Sequence, residues 1–421
     1  MERFITARPA RVQLLGSDGR FCPYASTQTL RLVAADTGLL LQDSVGEQVG
    51  RLLRDPLEPV RRALQSRSQW AGWLSYDLGR HLEPAAVATR FPAGERPSSW
   101  PLIELHQLQQ IDDGDASSCS SAVGPLQSIP GSAAYQRGVA GVLEFIRAGD
   151  CYQANLAHEL TAPFEGSPRH LFARLVEHSV PPHAMYVEAA PVATQPFRAM
   201  LSLSPELFLD YDARTRRVIT RPMKGTRPCV PGAYEELEAS AKDRAELAMI
   251  VDLMRNDIGR VCDFGSVHVD VPRRIERHPN AAGGVWQAIA QVSGTLRDGL
   301  DAADLIAATF PAGSVTGAPK IRAMQIIDEL EPTRRGIYCG SAIHIREDGS
   351  VKLSVAIRTA LIESDQACGD SPATDHMRGS LRYSVGAGIV ADSDPASEWQ
   401  ETLVKAGVIS GSLQHMKVSS P

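Results

Sequence analysis

The stretch from Phe197 to Arg227 constrains this chain more than any other. An apolar run from Phe197 to Leu203 stops at Pro205. A second run resumes from Glu206 to Tyr211, a polar turn follows around Asp212, and Val218 to Arg221 makes a third run before Pro222. Short runs bounded by proline and polar turns read as strands, and their succession reads as a meander. Glu206 falls at a strand junction, and Lys224-Gly225 falls just beyond a strand end. Loops at strand ends are common places for chemistry.

The clearest helix runs from Lys242 to Ile258, where Leu247, Ile250, Val251, Met254 and Ile258 form one apolar face. Ser240 followed by Asp243 resembles a capping box with Asp in place of Glu. Glu246 lies beside the apolar face, and helix position alone favours a solvated carboxylate there. Ala134 to Ile146 is a second helix, and Trp70 to Asp77 reads as a strand. Asp112 to Ser132, rich in Ser, Gly, Asp and Pro, reads as a linker, and Glu363 to Arg378 as an exposed loop.

Composition excludes several classes. The chain has 421 residues, which at ~150 residues per domain predicts two to three domains. Lys and Arg number 43 against 49 Asp and Glu, a net charge of −6. That leaves no excess of cations for nucleic acid, although a small anion needs only a few local ones. The cysteines at 22, 119, 151, 229, 262, 339 and 368 include no CxxC pair, so a zinc ribbon has no support and a reducing, cytoplasmic setting is expected. No signal peptide follows Met1, and no run of ~18 apolar residues predicts a membrane span.

Individual motifs leave the reaction open. Gly313 to Lys320 (GSVTGAPK) fails the phosphate-loop pattern and reads as a tight turn opening a helix from Lys320 to Leu330. Glu401 and Lys405 share a helix face and alone read as a surface ion pair. As a functional pair they offer a carboxylate for a divalent cation and a lysine for an anion. No Ser lies in a GxSxG setting and no His pair lies at HExxH spacing, so hydrolase and zinc-protease readings are weak.

In order, however, these segments resemble the chorismate-utilising enzymes. The resemblance rests on Gly149-Asp-Cys-Tyr-Gln-Ala-Asn-Leu156, Arg221-Pro-Met-Lys-Gly-Thr-Arg-Pro228 and Ala245-Glu246 through Asp257. It continues through Gly313 to Lys320, Ala356-Ile-Arg-Thr359, Gly386 to Val390 and Glu401-Thr402 with Lys405. It covers residues 135 to 412 strongly and Trp70 to Pro84 more loosely. It implies an α+β fold of large antiparallel β-sheets packed as a sandwich with outer helices. Residues 1–125 would form an N-terminal region sharing those sheets, and residues 133–413 a chorismate-binding catalytic domain.

The resemblance also implies roles. Lys224 and Gln153 discriminate within the family. Lysine at 224 marks the aminodeoxychorismate synthase branch, and glutamine at 153 cannot replace the lysine base of the water-adding branches. Glu246 and Glu401 would hold Mg²⁺ against the ring carboxylate of chorismate, and Glu206 would protonate the departing hydroxyl. Lys224 would attack carbon 2 as a neutral amine, a form favoured by desolvation or nearby positive charge. Gly225 with Thr226, Thr316, Tyr338, Arg358, Gly386, Ala387, Gly388 and Lys405 would line the substrate site. A separate glutamine amidotransferase would supply ammonia, since the synthase module fills the chain. Two residues depart from the family pattern. Gln287 stands where the family carries a histidine, and Ile343 where it carries a small glycine. Anthranilate synthase is the enzymatic alternative. A non-catalytic relative binding chorismate or tryptophan is the other, with Leu40 to Ser44 vaguely resembling a tryptophan-site segment.

Overall fold

The computed structural model describes residues 9–16, 20–35, 38–44, 51–87, 100–111, 120–192, 194–281, 283–367 and 376–416. Among these residues, 21 strands join one hydrogen-bonded network. Every resolved pairing between them is antiparallel, from Arg11–Leu15 on Phe21–Ala35 to Met377–Ile389 on Gln153–Gly166. Helices pack on this network, which makes the class α+β. The N-terminal strands are part of it: Arg11–Leu15 pairs with His183–Glu188, and Trp70–Leu74 pairs with Ser341–Ile345. No helix among the described residues is long and apolar enough to cross a membrane.

The expected meander does not form. Pro196–Ser204 and Leu207–Asp212 are consecutive strands, but they do not pair with each other. Only Pro205 and Glu206 separate them, and proline cannot take the positive φ that a two-residue hairpin turn needs at its first position, so the chain kinks and continues. Each half finds its own partner: Pro196–Ser204 pairs with Thr359–Ala367, and Leu207–Asp212 with Val351–Val355. Those partners are themselves consecutive across a second kink. The two breaks face each other, with Val355 N–H donating to Glu206 O (3.1 Å) and Leu203 N–H to Arg358 O (3.0 Å). Arg358 has φ 51°, an uncommon conformation for a residue with a side chain. Leu207–Asp212 and Arg217–Arg221 do form the expected hairpin.

Two segments read as loops also contribute strands. Within the expected linker, Ser121–Val123 and Gln127–Ile129 pair with Gln153–Gly166, and the helix after it starts at Ser132. Within the expected loop after Glu363, Thr359–Ala367 continues as strand and Met377 starts the next one. In both, a polar run forms strand because backbone pairing to an existing edge supplies what side-chain patterning does not. Residues 112–119 and 368–375 lie outside the described residues.

The long helix spans Ala241–Gly259, and Ser240 caps it, accepting from Asp243 N at 3.2 Å. Its buried face is Leu247, Ile250, Val251, Met254 and Ile258, as the spacing predicts, with Asp257 added. Ser240→Ala removes the cap and should lower stability by about 1 kcal/mol, read as a lower urea midpoint at unchanged m-value.

Candidate active site

Three segments bring backbone together at one point. The Gln153–Gly166 strand lies between the Gly317–Ala318 bridge and the Met377–Ile389 strand. Gly388 therefore pairs with Asn155, Ala387 with Leu156 and Gly386 with Ala157, while Gly317 pairs with Ala154. A side chain at Gly388 would place its Cβ 2.8 Å from Gln153 Nε2 and 3.0 Å from Lys224 Nζ. Glycine there leaves the space that the lysine amine occupies.

Lys224 lies within the Met223–Pro228 strand rather than beyond a strand end. The pairing with Val285–Thr295 shifts register between Lys224 and Thr226, at Gly225 with φ +74°. Gly225 also packs closely: a Cβ would lie 2.8 Å from Asp243 and from Leu237. The irregularity turns Lys224 toward the Ala241–Gly259 helix, where its Nζ lies 3.7 Å from Glu246 Oε2. Lys224 and Glu246 are only 12% and 13% exposed, so Glu246 is not the solvated carboxylate that helix position favours. Burial raises the Glu246 pKa, Lys224 and Lys242 oppose the rise, and Asp243 and Glu401 add to it. Of the two expected means of freeing the amine, burial is present, while the ion-pair partner of Lys224 is an anion rather than a positive charge. A cation taken by Glu246 would compete with Lys224 for that carboxylate.

Glu206 sits at the first strand break, 4% exposed. Burial pushes its carboxyl up to about 7, against the Ser314 hydroxyl, the field of Lys224 and the Met223 backbone, which all pull it down. A carboxyl so placed can carry a proton near neutral pH and release it.

Glu401 is half-exposed on the Pro395–Met416 helix, ion-paired with Lys405 at 2.6 Å. Burial works to raise its pKa, but Lys405 beside it, helped by Lys242 and Lys224, leaves it lowered. Lys405 also donates to Gly386 O at 2.8 Å, so it ties this helix to the glycine-rich strand. No group of three or more metal-binding side chains occurs among the described residues. Glu246 and Glu401 nevertheless suit a hard cation: both offer carboxylate oxygen, and they lie close enough to feel each other's charge. Mg²⁺ needs only one or two protein carboxylates when substrate and water complete its shell.

Other expected residues are placed differently. The Thr316 hydroxyl is fully buried and donates to Ala312 O and Gly313 O, so it locks its own loop. Thr226 Oγ1 is 3.4 Å from Gln287 Nε2. Gln287 Oε1 and both polar atoms of the Gln153 amide are buried without a hydrogen-bond partner. Tyr338 is buried, which raises its phenol well above the ordinary value and keeps it a neutral donor. Burial lowers the Arg358 pKa, and Tyr383 opposes the fall. Ile343 pairs with Gly72 and Leu353 and is fully buried in the core, so the departure at this position adds core volume.

Sequence reasoning missed four neighbours. Ser314 reaches Glu206. Lys242 bridges Glu246 (4.0 Å) and Glu398 (3.7 Å), and Glu398 accepts from Ser393 Oγ at 2.6 Å. Arg335 joins several of these segments from behind. The spacing of Lys242 and Glu246, four apart on a helix, was a usable signal; the others meet only in space.

A carboxylate pair on two helices, a largely buried lysine and a buried, protonatable glutamate thus come together beside glycine backbone. Residues 24–411 match the family described as chorismate binding enzyme, and the chain belongs to that family. It is 37% identical over 372 residues to aminodeoxychorismate synthase component 1 of Salmonella typhimurium, covering 82% of this chain and 76% of the relative. It is 39% identical over 382 residues to anthranilate synthase component 1 3 of Haloarcula marismortui, covering 80% and 71%. The fold is similar to a solved anthranilate synthase component I from Streptococcus pneumoniae, with TM-score 0.68 and 22% identity over 96% of this chain and 93% of that one.

The Glu206 shift carries a stability signature. Its pKa is raised from 4.5 unfolded to about 7 folded, so between these values the native chain holds a proton that the unfolded chain has lost. Stability therefore falls as pH rises through this window and levels off above it. Glu206→Gln removes the ionisation and should be more stable than wild type by roughly 3 kcal/mol at mildly alkaline pH, with the difference vanishing near the unfolded pKa. Urea titrations at the two ends of the window check this.

Proposed function

We propose that this chorismate-utilising enzyme aminates chorismate at carbon 4, giving 4-amino-4-deoxychorismate on the route to 4-aminobenzoate and folate. Relatives bearing both synthase names match at similar identity, so overall similarity does not choose between them. The observation that carries the reading is Lys224: a buried primary amine held between Gly388, Gln153 and Glu246, with Glu206 close enough to feel its charge.

In this reading Glu206 donates its proton to the carbon-4 hydroxyl, which leaves as water. As the C4–O bond breaks, both double bonds of the ring diene shift and the Lys224 amine bonds to carbon 2. Ammonia then bonds to carbon 4, both double bonds shift back, the C2–N bond to Lys224 breaks, and the Glu206 carboxylate takes back a proton from the new ammonium group. Hydroxide is a poor leaving group, so a general acid that is protonated near neutral pH is the needed partner. Arg358 and Tyr338 bind substrate carboxylate, where a guanidinium offers paired donors. Mg²⁺ on Glu246 and Glu401 would neutralise the ring carboxylate, whose burial is otherwise costly. Ammonia comes from a partner glutamine amidotransferase, in keeping with relatives named as component 1.

Purified chain incubated with chorismate, Mg²⁺ and ammonium salt should give a product of aminodeoxychorismate mass. Direct appearance of anthranilate without an added lyase would overturn the assignment. Lys224→Ala should lower the rate at least ~100-fold at saturating ammonia, the range expected when a covalent nucleophile is lost. An unchanged rate would remove the lysine step. Glu246→Gln and Glu401→Gln should each weaken Mn²⁺ binding roughly tenfold or more in titration calorimetry without chorismate.

A further inference from the structure

Arg335 is 7% exposed and lies outside the residues assigned to chemistry, yet its guanidinium joins several of the segments that carry them. Nη1 donates to Val315 O at 2.8 Å, in the turn that carries Ser314 and Thr316. Nη2 donates to Asn155 O at 2.6 Å, on the strand that carries Gln153. Nε and Nη2 close a bidentate pair with Glu331 Oε2 and Oε1, at 2.9 and 2.7 Å. Glu331 Oε1 also accepts from Ala157 N at 2.8 Å. The pair thus grips the strand at Asn155 and Ala157, the two residues opposite Gly388 and Gly386. On its faces the guanidinium meets the rings of Tyr76 at 4.7 Å and Tyr338 at 6.0 Å.

Burying an ion pair is unfavourable unless geometry and extra hydrogen bonds compensate. Here the surplus bonds run to the backbone of the active-site walls, which are not needed to neutralise the charge. The far end of the same turn is fixed independently: Lys320 Nζ donates to Thr309 O at 2.6 Å and to Asp257. Between these anchors Ser314 meets Glu206.

We propose that Arg335, oriented by Glu331, is a positioning residue that sets the Ser314–Glu206 contact and the Tyr338 ring against the strand carrying Gln153. This rests on Glu206 being the general acid. Lysine cannot span the four acceptors, because its ammonium is a single point rather than a planar fork. In Arg335→Lys the Val315 bond is lost, the turn relaxes and Ser314 no longer holds the Glu206 carboxylate.

The test compares pH–rate profiles of the full chain, wild type against Arg335→Lys, Ser314→Ala and Glu206→Gln, with rates normalised to the folded fraction by circular dichroism. A general acid must be protonated, so wild-type kcat falls as pH rises through the pKa of Glu206, and Glu206→Gln abolishes that limb. Ser314→Ala removes a bond to the ionised form and moves the limb to higher pH. Arg335→Lys should move it in the same direction and lower kcat at least ~10-fold. A wild-type limb in Arg335→Lys, alongside a shifted limb in Ser314→Ala, overturns the positioning role alone. A limb that survives Glu206→Gln overturns the general-acid reading and this role with it. If Arg335→Lys does not fold, Glu331→Gln, which keeps an acceptor for Ala157 N, decides by the same limb.

Discussion

Two strand breaks that face each other organise this active site. Pro205, locked at negative φ, cannot take the positive φ that a two-residue hairpin turn needs at its first position, so the strands on either side continue forward and take partners from another pair of consecutive strands. The partners must break at the same level. One break then carries Glu206 and the other Arg358, and their backbones are tied by the bonds from Val355 and Leu203. A carboxyl and a guanidinium are thereby placed inside a sheet, each at an interruption of its ladder. Burial at the break raises the pKa of Glu206 toward neutrality.

Around these breaks the charges are arranged in opposition. Lys224 and Lys242 face Glu246, and Lys405 faces Glu401. Each carboxylate proposed for the cation is held by lysine, so a cation entering must displace ammonium groups. In the proposed reading that exchange would couple metal occupancy to the freedom of Lys224. It gives a physical reason for the nucleophile and a metal ligand to be neighbours: the same ion that binds substrate carboxylate would release the amine. The Arg335–Glu331 pair, by contrast, is satisfied within the protein and lends its remaining donors to the walls.

Much of this was legible in the residues. The long helix, its Ser240 cap and its apolar face follow from periodicity, and the Lys320–Leu330 helix begins at its expected residue. The resemblance of ordered motifs led to the family that the comparison with known proteins shows. Misread were the segments whose state depends on a distant partner. Ser121–Val123 and Gln127–Ile129 have no strand pattern of their own and become strands on the edge of Gln153–Gly166. Glu246 looked solvated because its helix position could not reveal that the Met223–Pro228 strand covers it.

Residue order was enough to establish the long helix and its cap, and which side chains could carry acid, amine and carboxylate chemistry, because these depend on local periodicity and on chemical identity. It could not establish which distant strands pair, that Gly388 clears space for Lys224, or that Arg335 grips two walls at once. Those outcomes depend on register between segments far apart in sequence, as with Arg335 and Asn155 (|i−j| = 180). Only closure of the sheet, which satisfies every strand's backbone groups together, selects that register.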